Sequence, residues 1–164
     1  PEIKINNSIV WFKPNAQPNI TCRFFTESTE HLIWASKNGN GKKWTFNYQD
    51  TKNLIEDPWS PKGNQTRNVW SIPLTPKKEK WAGQHPTQKP EELVRRILLA
   101  CTKPGDLVLD PFVGSGTTSA VAKKMGRNSI GIEKEIKYLK IIEKRLNPVQ
   151  RKIGEEVEIE IVKN

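Results

Sequence analysis

The segment Leu107-Val-Leu-Asp110-Pro-Phe-Val-Gly114-Ser-Gly116-Thr-Thr118 limits what this chain can fold into more than any other stretch. A short apolar run stops at an acid, a glycine-containing turn follows, and small residues open a helix. Gly114 and Gly116 carry no Cβ, so the turn can be tight and a ligand can come close to the backbone. The helix entrance offers unpaired N–H groups, and the hydroxyls of Thr117 and Thr118 beside it suit a carboxylate or a phosphate. Gly131-Ile-Glu133 follows, placing an acid about 20 residues beyond Asp110, where doubly wound folds bind ribose hydroxyls. The combination describes a pocket for an adenosine-type cofactor. Its G-x-G spacing lacks the third glycine of a dinucleotide fingerprint and the lysine of a GxxxxGK[ST] loop, which disfavours ATP or GTP hydrolysis. Taken alone, the turn is also compatible with a plain connection in which Glu133 is a surface acid.

The flanking sequence supplies the rest of an α/β unit. Pro90 with Glu91 and Glu92 is a good helix start. Leu93, Val94, Ile97, Leu98 and Cys101 then recur at helical spacing, and Lys103-Pro-Gly105 ends the element. Residues 106–110 read as a short buried strand. The helix after the glycine turn runs through Ala120, Val121 and Met125 to a C-terminal cap at Gly126. A strand over 129–133 and a helix with Ile136, Leu139, Ile142 and Leu146 inward complete the pattern, and Val157–Val162 alternates like a final strand. Helices alternating with strands over short links imply a parallel sheet. Upstream, Ser8–Phe12 and His31–Ala35 read as strands close enough to form an antiparallel pair.

Between these regions, residues 37–84 show no sustained period, yet contain Trp44, Trp59, Trp70 and Trp81. So long an irregular stretch is commonly functional, and four tryptophans argue against disorder. The 164-residue chain has a net charge of +9. Residues 37–89 hold ten Lys or Arg against four acids, which is six of those nine charges. A polyanionic partner fits this imbalance; a solvated lysine-rich loop is the plainer alternative. The two cysteines, Cys22 and Cys101, show no metal-ligand spacing, so they are expected to be buried free thiols in a reducing compartment. No metal site, signal peptide or spanning segment is expected. Residue 1 is proline and the only methionine is Met125, which reads as the back part of a longer protein.

Three motifs together are more specific than any one. His85-Pro-Thr-Gln-Lys-Pro90, then Asp110-Pro-Phe-Val-Gly-Ser-Gly-Thr-Thr118, then Gly131-Ile-Glu133 resembles the DNA amino-methyltransferases with permuted motif order. The resemblance spans Asn7-Ser-Ile-Val-Trp-Phe-Lys13 to Leu146. It implies a Rossmann-like S-adenosylmethionine-dependent methyltransferase sheet, incomplete in this chain, with an irregular DNA-recognition insertion. The strand pair would be 1–36, the target-recognition region 37–84 and the cofactor-binding part 85–164. S-adenosyl-L-methionine is the implied cofactor. Asp110, Phe112, Gly114, Ser115 and Gly116 would shape its site, Thr117 and Thr118 would hold its methionine end, and Glu133 its ribose hydroxyls. His85, Thr87, Gln88 and Lys89 would close the methionine side. A Rossmann oxidoreductase gives no account of the His85–Pro90 segment.

In the recognition region, Lys42, Lys43, Lys62, Arg67, Lys77, Lys78 and Lys80 are candidates for phosphate contacts, and Asn64, Gln65 and Asn68 for base edges. Asn68-Val-Trp-Ser-Ile-Pro73 leading into His85–Pro90 looks more like adenine-N6 members than cytosine-N4 members. The family also carries an Asp/Asn/Ser-Pro-Pro-aromatic motif, which holds the target amine and stacks on the extruded base. No such tetrapeptide occurs here; Asp57-Pro-Trp59 is a decoy with a single proline. In the permuted order it belongs before Asn7. The expectation is therefore an enzyme portion, inactive alone, whose missing N-terminal segment carries the amine-binding motif. Double-stranded DNA and that segment are the implied partners, with a homodimer left open, in a prokaryotic cytoplasmic restriction-modification system. The rival reading is a non-catalytic DNA-binding module, or a decayed fragment, with a relic pocket.

Overall fold

β-Branched and aromatic residues crowd the first strand, β1 (Ile3–Phe12), and it pairs antiparallel with β2 (Thr29–Lys37) as their alternation predicts. These positions come from a computed structural model that describes residues 3–37 and 44–147. The β1–β2 register shifts between Ile5 and Asn7, a bulge that separates the outer half of the ladder from the inner half. A third strand, β3 (Val69–Ser71), lies parallel to β1, giving the order β2-β1-β3. Three residues are too few to show a period, so β3 is not legible within the irregular stretch 37–84. Helix α1 (Tyr48–Leu54) lies in the same stretch.

The chain divides into two compact units. The first comprises residues 3–37 and 44–74 together with Arg95–Lys103; the second comprises Thr75–Val94 and residues 104–147. Helix α2 (Glu91–Cys101) begins where Pro90 and the two glutamates predict. Trp11, Ile55, Trp70, Ile72 and Leu98 are buried in the first unit. The Trp11 indole N–H donates to the Ile72 carbonyl at 2.7 Å, which ties β1 to the residue after β3.

In the second unit, β4 (Leu107–Asp110) and β5 (Asn128–Gly131) form a parallel two-stranded sheet. Helix α3 (Thr117–Lys124) packs on it, and α4 (Ile136–Leu146) follows. A short 3-10 turn spans Lys77–Lys80. Val113, Ala120, Val121 and Ala122 form its core with Leu93 and Val94.

Several expectations are corrected. The 107–110 strand is not fully buried: Leu107 and Leu109 are 62% and 61% exposed, because α3 covers only one face of the sheet. Ile136, expected inward, is exposed in the first turn of α4. Cys22, expected to be buried, is exposed and adopts a left-handed φ of +53° in the loop between β1 and β2. Cys101 is half-buried, and burial pushes its thiol pKa up. The expected 157–162 strand lies outside the described residues. Among the described residues, no helix is long and apolar enough to cross a membrane, and no cluster of His, Cys, Asp and Glu could hold a metal.

Candidate functional site: a glycine turn clamped by a carboxylate

The turn between β4 and α3 is built by its two glycines. Gly114 and Gly116 have φ of +54° and +79°, a region that L side chains enter only with strain. A Cβ on Gly114 would lie 3.2 Å from the His85 imidazole, and one on Gly116 would lie 3.3 Å from the Ile142 backbone of α4. The turn is thus pressed on one side by the histidine segment and on the other by α4. The Gly116 N–H closes it by donating to the Val113 carbonyl at 2.8 Å.

Glu133 joins this turn directly. Its Oε2 accepts from the Gly114 N–H at 2.9 Å, and its Oε1 accepts from the Glu135 N–H at 2.8 Å. A carboxylate has about four acceptor positions, so two backbone bonds leave capacity for two further donors. Adjacent ribose hydroxyls are donors of that kind. Asp110 caps the start of the turn, its Oδ1 accepting from the Phe112 N–H at 3.0 Å. Phe112 is 89% exposed.

The His85–Pro90 segment lies against the same turn. The His85 ring packs on Tyr138 of α4 at 4.2 Å between centroids and accepts at Nδ1 from the Thr87 N–H at 3.3 Å. Gln88 donates from its amide to the Glu79 carbonyl at 2.9 Å, while its Oε1 is buried with no hydrogen-bond partner among the described residues. An unpaired buried acceptor is costly and invites an N–H donor such as an ammonium. The Lys89 side chain is exposed, and its carbonyl accepts from the Thr117 hydroxyl at 3.4 Å.

Ser115 and Thr117 turn inward. Both are buried, with hydroxyls 3.2 Å apart, and Thr117 Oγ1 accepts from Arg145 at 2.7 Å. Thr118 is half-buried at the second position of α3. Arg145 was not among the residues singled out from sequence. Burial lowers its guanidinium pKa, opposed by the charges of Glu91 and Glu79.

The DNA-contact candidates are less concentrated. Lys62, Asn64, Gln65, Arg67 and Asn68 are exposed in the first unit, and Lys77, Lys78 and Lys80 are exposed in the second. Lys42 and Lys43 lie outside the described residues. The Asn68 amide N–H donates to the Ser8 carbonyl at 2.8 Å, so part of that side chain holds β1. Asp57 is fully engaged in structure: Oδ2 accepts from the Ser71 N–H at 2.6 Å and from Arg96 at 2.8 Å. A cavity of about 240 Å³ in the first unit is lined by Ile9, Trp34, Phe46 and Trp70, and by none of the expected cofactor residues.

The chain is similar to several known proteins. A family model described as DNA methylase, of the N6/N4 type, matches residues 2–144. The chain is 53% identical over 144 residues to the type II methyltransferase M2.LlaDCHI of Lactococcus lactis subsp. cremoris, covering 88% of this chain and 51% of that protein. It is 54% identical over 143 residues to the type II methyltransferase M2.DpnII of Streptococcus pneumoniae, covering 87% and 51%. The chain therefore spans about half the length of these curated relatives. The crystal structure of an M1.HpyAVI–SAM complex matches with a TM-score of 0.69 and 35% identity, over 88% of this chain and 63% of that one. The fold is the Rossmann-like fold of S-adenosylmethionine-dependent methyltransferases, as the glycine turn and its flanks predict.

Proposed function

Because the chain belongs to the N6/N4 DNA methylase family, we propose that it forms the cofactor-binding and DNA-recognition portion of an enzyme that methylates adenine N6 in a specific double-stranded site. The Glu133 carboxylate carries this reading. It is fixed by the Gly114 and Glu135 N–H groups and keeps two acceptor positions for the ribose of S-adenosylmethionine. The residues present fit that cofactor: the glycine turn lets a ligand reach backbone, and the unpartnered Gln88 Oε1 suits an ammonium. When bound, the cofactor supplies a methyl group activated by a positively charged sulfur.

This chain's own residues bind and orient. Glu133 sets the ribose, the N-terminus of α3 with Thr118 faces the anionic methionine end, and His85 on Tyr138 walls the turn. Lys62, Arg67, Lys77, Lys78 and Lys80 contact phosphates, giving affinity without sequence information. Type II methyltransferase relatives support a place in a restriction-modification system. The preference for adenine rests on Asn68–Pro73 leading into His85–Pro90.

Methyl transfer also needs acceptors that aim the lone pair of a conjugated exocyclic amine, and an aromatic face for the extruded base. The sequence has no Pro-Pro-aromatic motif to provide them. We assign that role to polypeptide corresponding to the other half of the relatives' length. The uncovered face of the β4–β5 sheet, with Leu107, Leu109 and Ile130 each at least 50% exposed, supports this, since parallel sheets are covered on both faces. The test is transfer of labelled methyl to DNA by the 164-residue chain alone and with the complementary half. Activity only in the mixture, yielding N6-methyladenine, is expected. Transfer by the chain alone overturns the division of labour, and N4-methylcytosine overturns the base. Failure to bind S-adenosylmethionine under either condition favours the non-catalytic module.

A further inference from the structure

We propose that Arg145 is a positioning residue for the methyl-donor site, a buried guanidinium that fixes the glycine turn to the segments flanking it. The inference rests on the reading that this turn binds S-adenosylmethionine. Arg145 lies at the end of α4 and is 6% exposed. Its Nη1 donates to Thr117 Oγ1 at 2.7 Å and approaches the Ser115 carbonyl at 3.4 Å. Its Nη2 donates to the Glu79 carbonyl at 2.8 Å and lies 3.7 Å from Glu91 Oε1. One side chain therefore touches the turn, the 3-10 segment and the first residue of α2.

Neighbouring bonds close the frame. The Glu91 N–H donates to Glu79 Oε2 at 2.9 Å, and Glu91 Oε2 pairs with Lys124 of α3 at 2.6 Å. The Thr117 hydroxyl, accepting from Arg145, points its own proton toward the Lys89 carbonyl. Burying a cation is costly when no carboxylate touches it at hydrogen-bond distance, and an apolar side chain of that size would avoid the cost. What the guanidinium adds is a planar fork of five donors that can satisfy several acceptors at fixed angles. Those acceptors belong to the turn that presents Gly114 to Glu133, and to Glu79 and Glu91, which flank the stretch that carries His85, Gln88 and Lys89. Displacing them shifts groups facing the cofactor, although Arg145 does not face it.

The test measures S-adenosylmethionine affinity by calorimetry, alongside thermal unfolding, for the 164-residue chain and four variants. Arg145→Met is expected to weaken binding about tenfold to a hundredfold, the loss that goes with removing charge-assisted hydrogen bonds. Arg145→Lys restores part of this, because a point donor reaches fewer acceptors. Thr117→Val weakens binding in the same direction and keeps the proposal testable if Arg145→Met does not fold. Arg96→Met removes a buried arginine of the other unit; it lowers the melting temperature and leaves affinity unchanged. Wild-type affinity in folded Arg145→Met or Thr117→Val overturns the proposal. So does an equal loss of affinity in Arg96→Met, which would mark a general stability effect. No binding by the wild-type chain, both alone and with the complementary half supplied, overturns the cofactor reading itself, an outcome separate from these.

Discussion

Each unit of this protein buries an arginine, and the two are held in opposite ways. Arg96 in the first unit donates to a carboxylate, Asp57 Oδ2 at 2.8 Å, and to the Glu56 carbonyl at 3.1 Å, with its guanidinium 5.8 Å from the centre of the Trp70 ring. Asp57 in turn accepts from the Ser71 N–H, while Ser60 Oγ accepts from the Arg67 N–H. That arginine neutralises a buried acid and so holds a loop of irregular sequence to β3. Arg145 in the second unit meets a hydroxyl and two carbonyls first, and its nearest carboxylate only at 3.7 Å. Arg96 secures charge balance beneath the loop that carries Asp57; Arg145 spreads its donors over the glycine turn and the 3-10 segment. The same residue type serves stability in one place and geometry in the other.

The largest effect that sharpens this contrast lies at Asp57. Asp57→Ala removes the carboxylate facing a buried guanidinium, and a broken buried pair costs about 3–5 kcal/mol. Denaturant unfolding of Asp57→Ala, Arg96→Met and the double variant Asp57→Ala/Arg96→Met should show that loss in the first, with the double variant losing less than the two single losses together. A sum of single effects in the double variant would mean that the two side chains act independently, breaking the comparison.

A second test compares glycines. Gly63 in the first unit has φ of +88° with open space around its missing Cβ, whereas the Gly116 position meets the Ile142 backbone at 3.3 Å. Gly63→Ala is expected to cost about 1 kcal/mol of stability from backbone strain alone. Gly116→Ala adds about 1–3 kcal/mol of crowding to that strain, for about 2–4 kcal/mol in total, and lowers cofactor affinity as well. Equal costs would show that α4 yields at the turn.

The smallest effect concerns Cys101. Burial raises its thiol pKa above the ordinary value of 9.0, so the folded chain holds that proton longer than the unfolded chain. Its contribution to stability is full below pH 9 and is lost as pH rises through the folded value. Unfolding measured across pH 8–11 should show that decline, and it should vanish in Cys101→Ala. Alkylation should reach exposed Cys22 first.

Much of the site was legible because motifs encode local backbone demands. Gly114 and Gly116 announce a left-handed turn, and the turn forms there. Glu133 could be placed because strand and helix lengths fix how far the chain travels before it returns to the same sheet end. The β1–β2 pair was legible for a similar reason, since alternation and proximity determine pairing. Arg145 was not singled out, because an arginine in the last turn of Lys-Tyr-Leu-Lys-Ile-Ile-Glu-Lys-Arg-Leu reads as a solvated complement to the helix dipole. A signal did exist: Tyr138, Ile142 and Arg145 repeat at i, i+4 and i+7, the stripe that faces the turn. Arg96 hides in the same manner one turn after Leu93.

By itself, the sequence determined the glycine turn, the order of helices and strands in its second half, and the absence of a Pro-Pro-aromatic motif. These follow from short-range chemistry: Cβ sterics, period and spacing. Only the tertiary structure decided that Thr117 faces Arg145, that Asp57 is buried under Arg96, that Val69–Ser71 is a strand, and that Leu107 and Leu109 lie on an uncovered face. Each of those depends on which side chain arrives from dozens of residues away, and no local pattern carries that information.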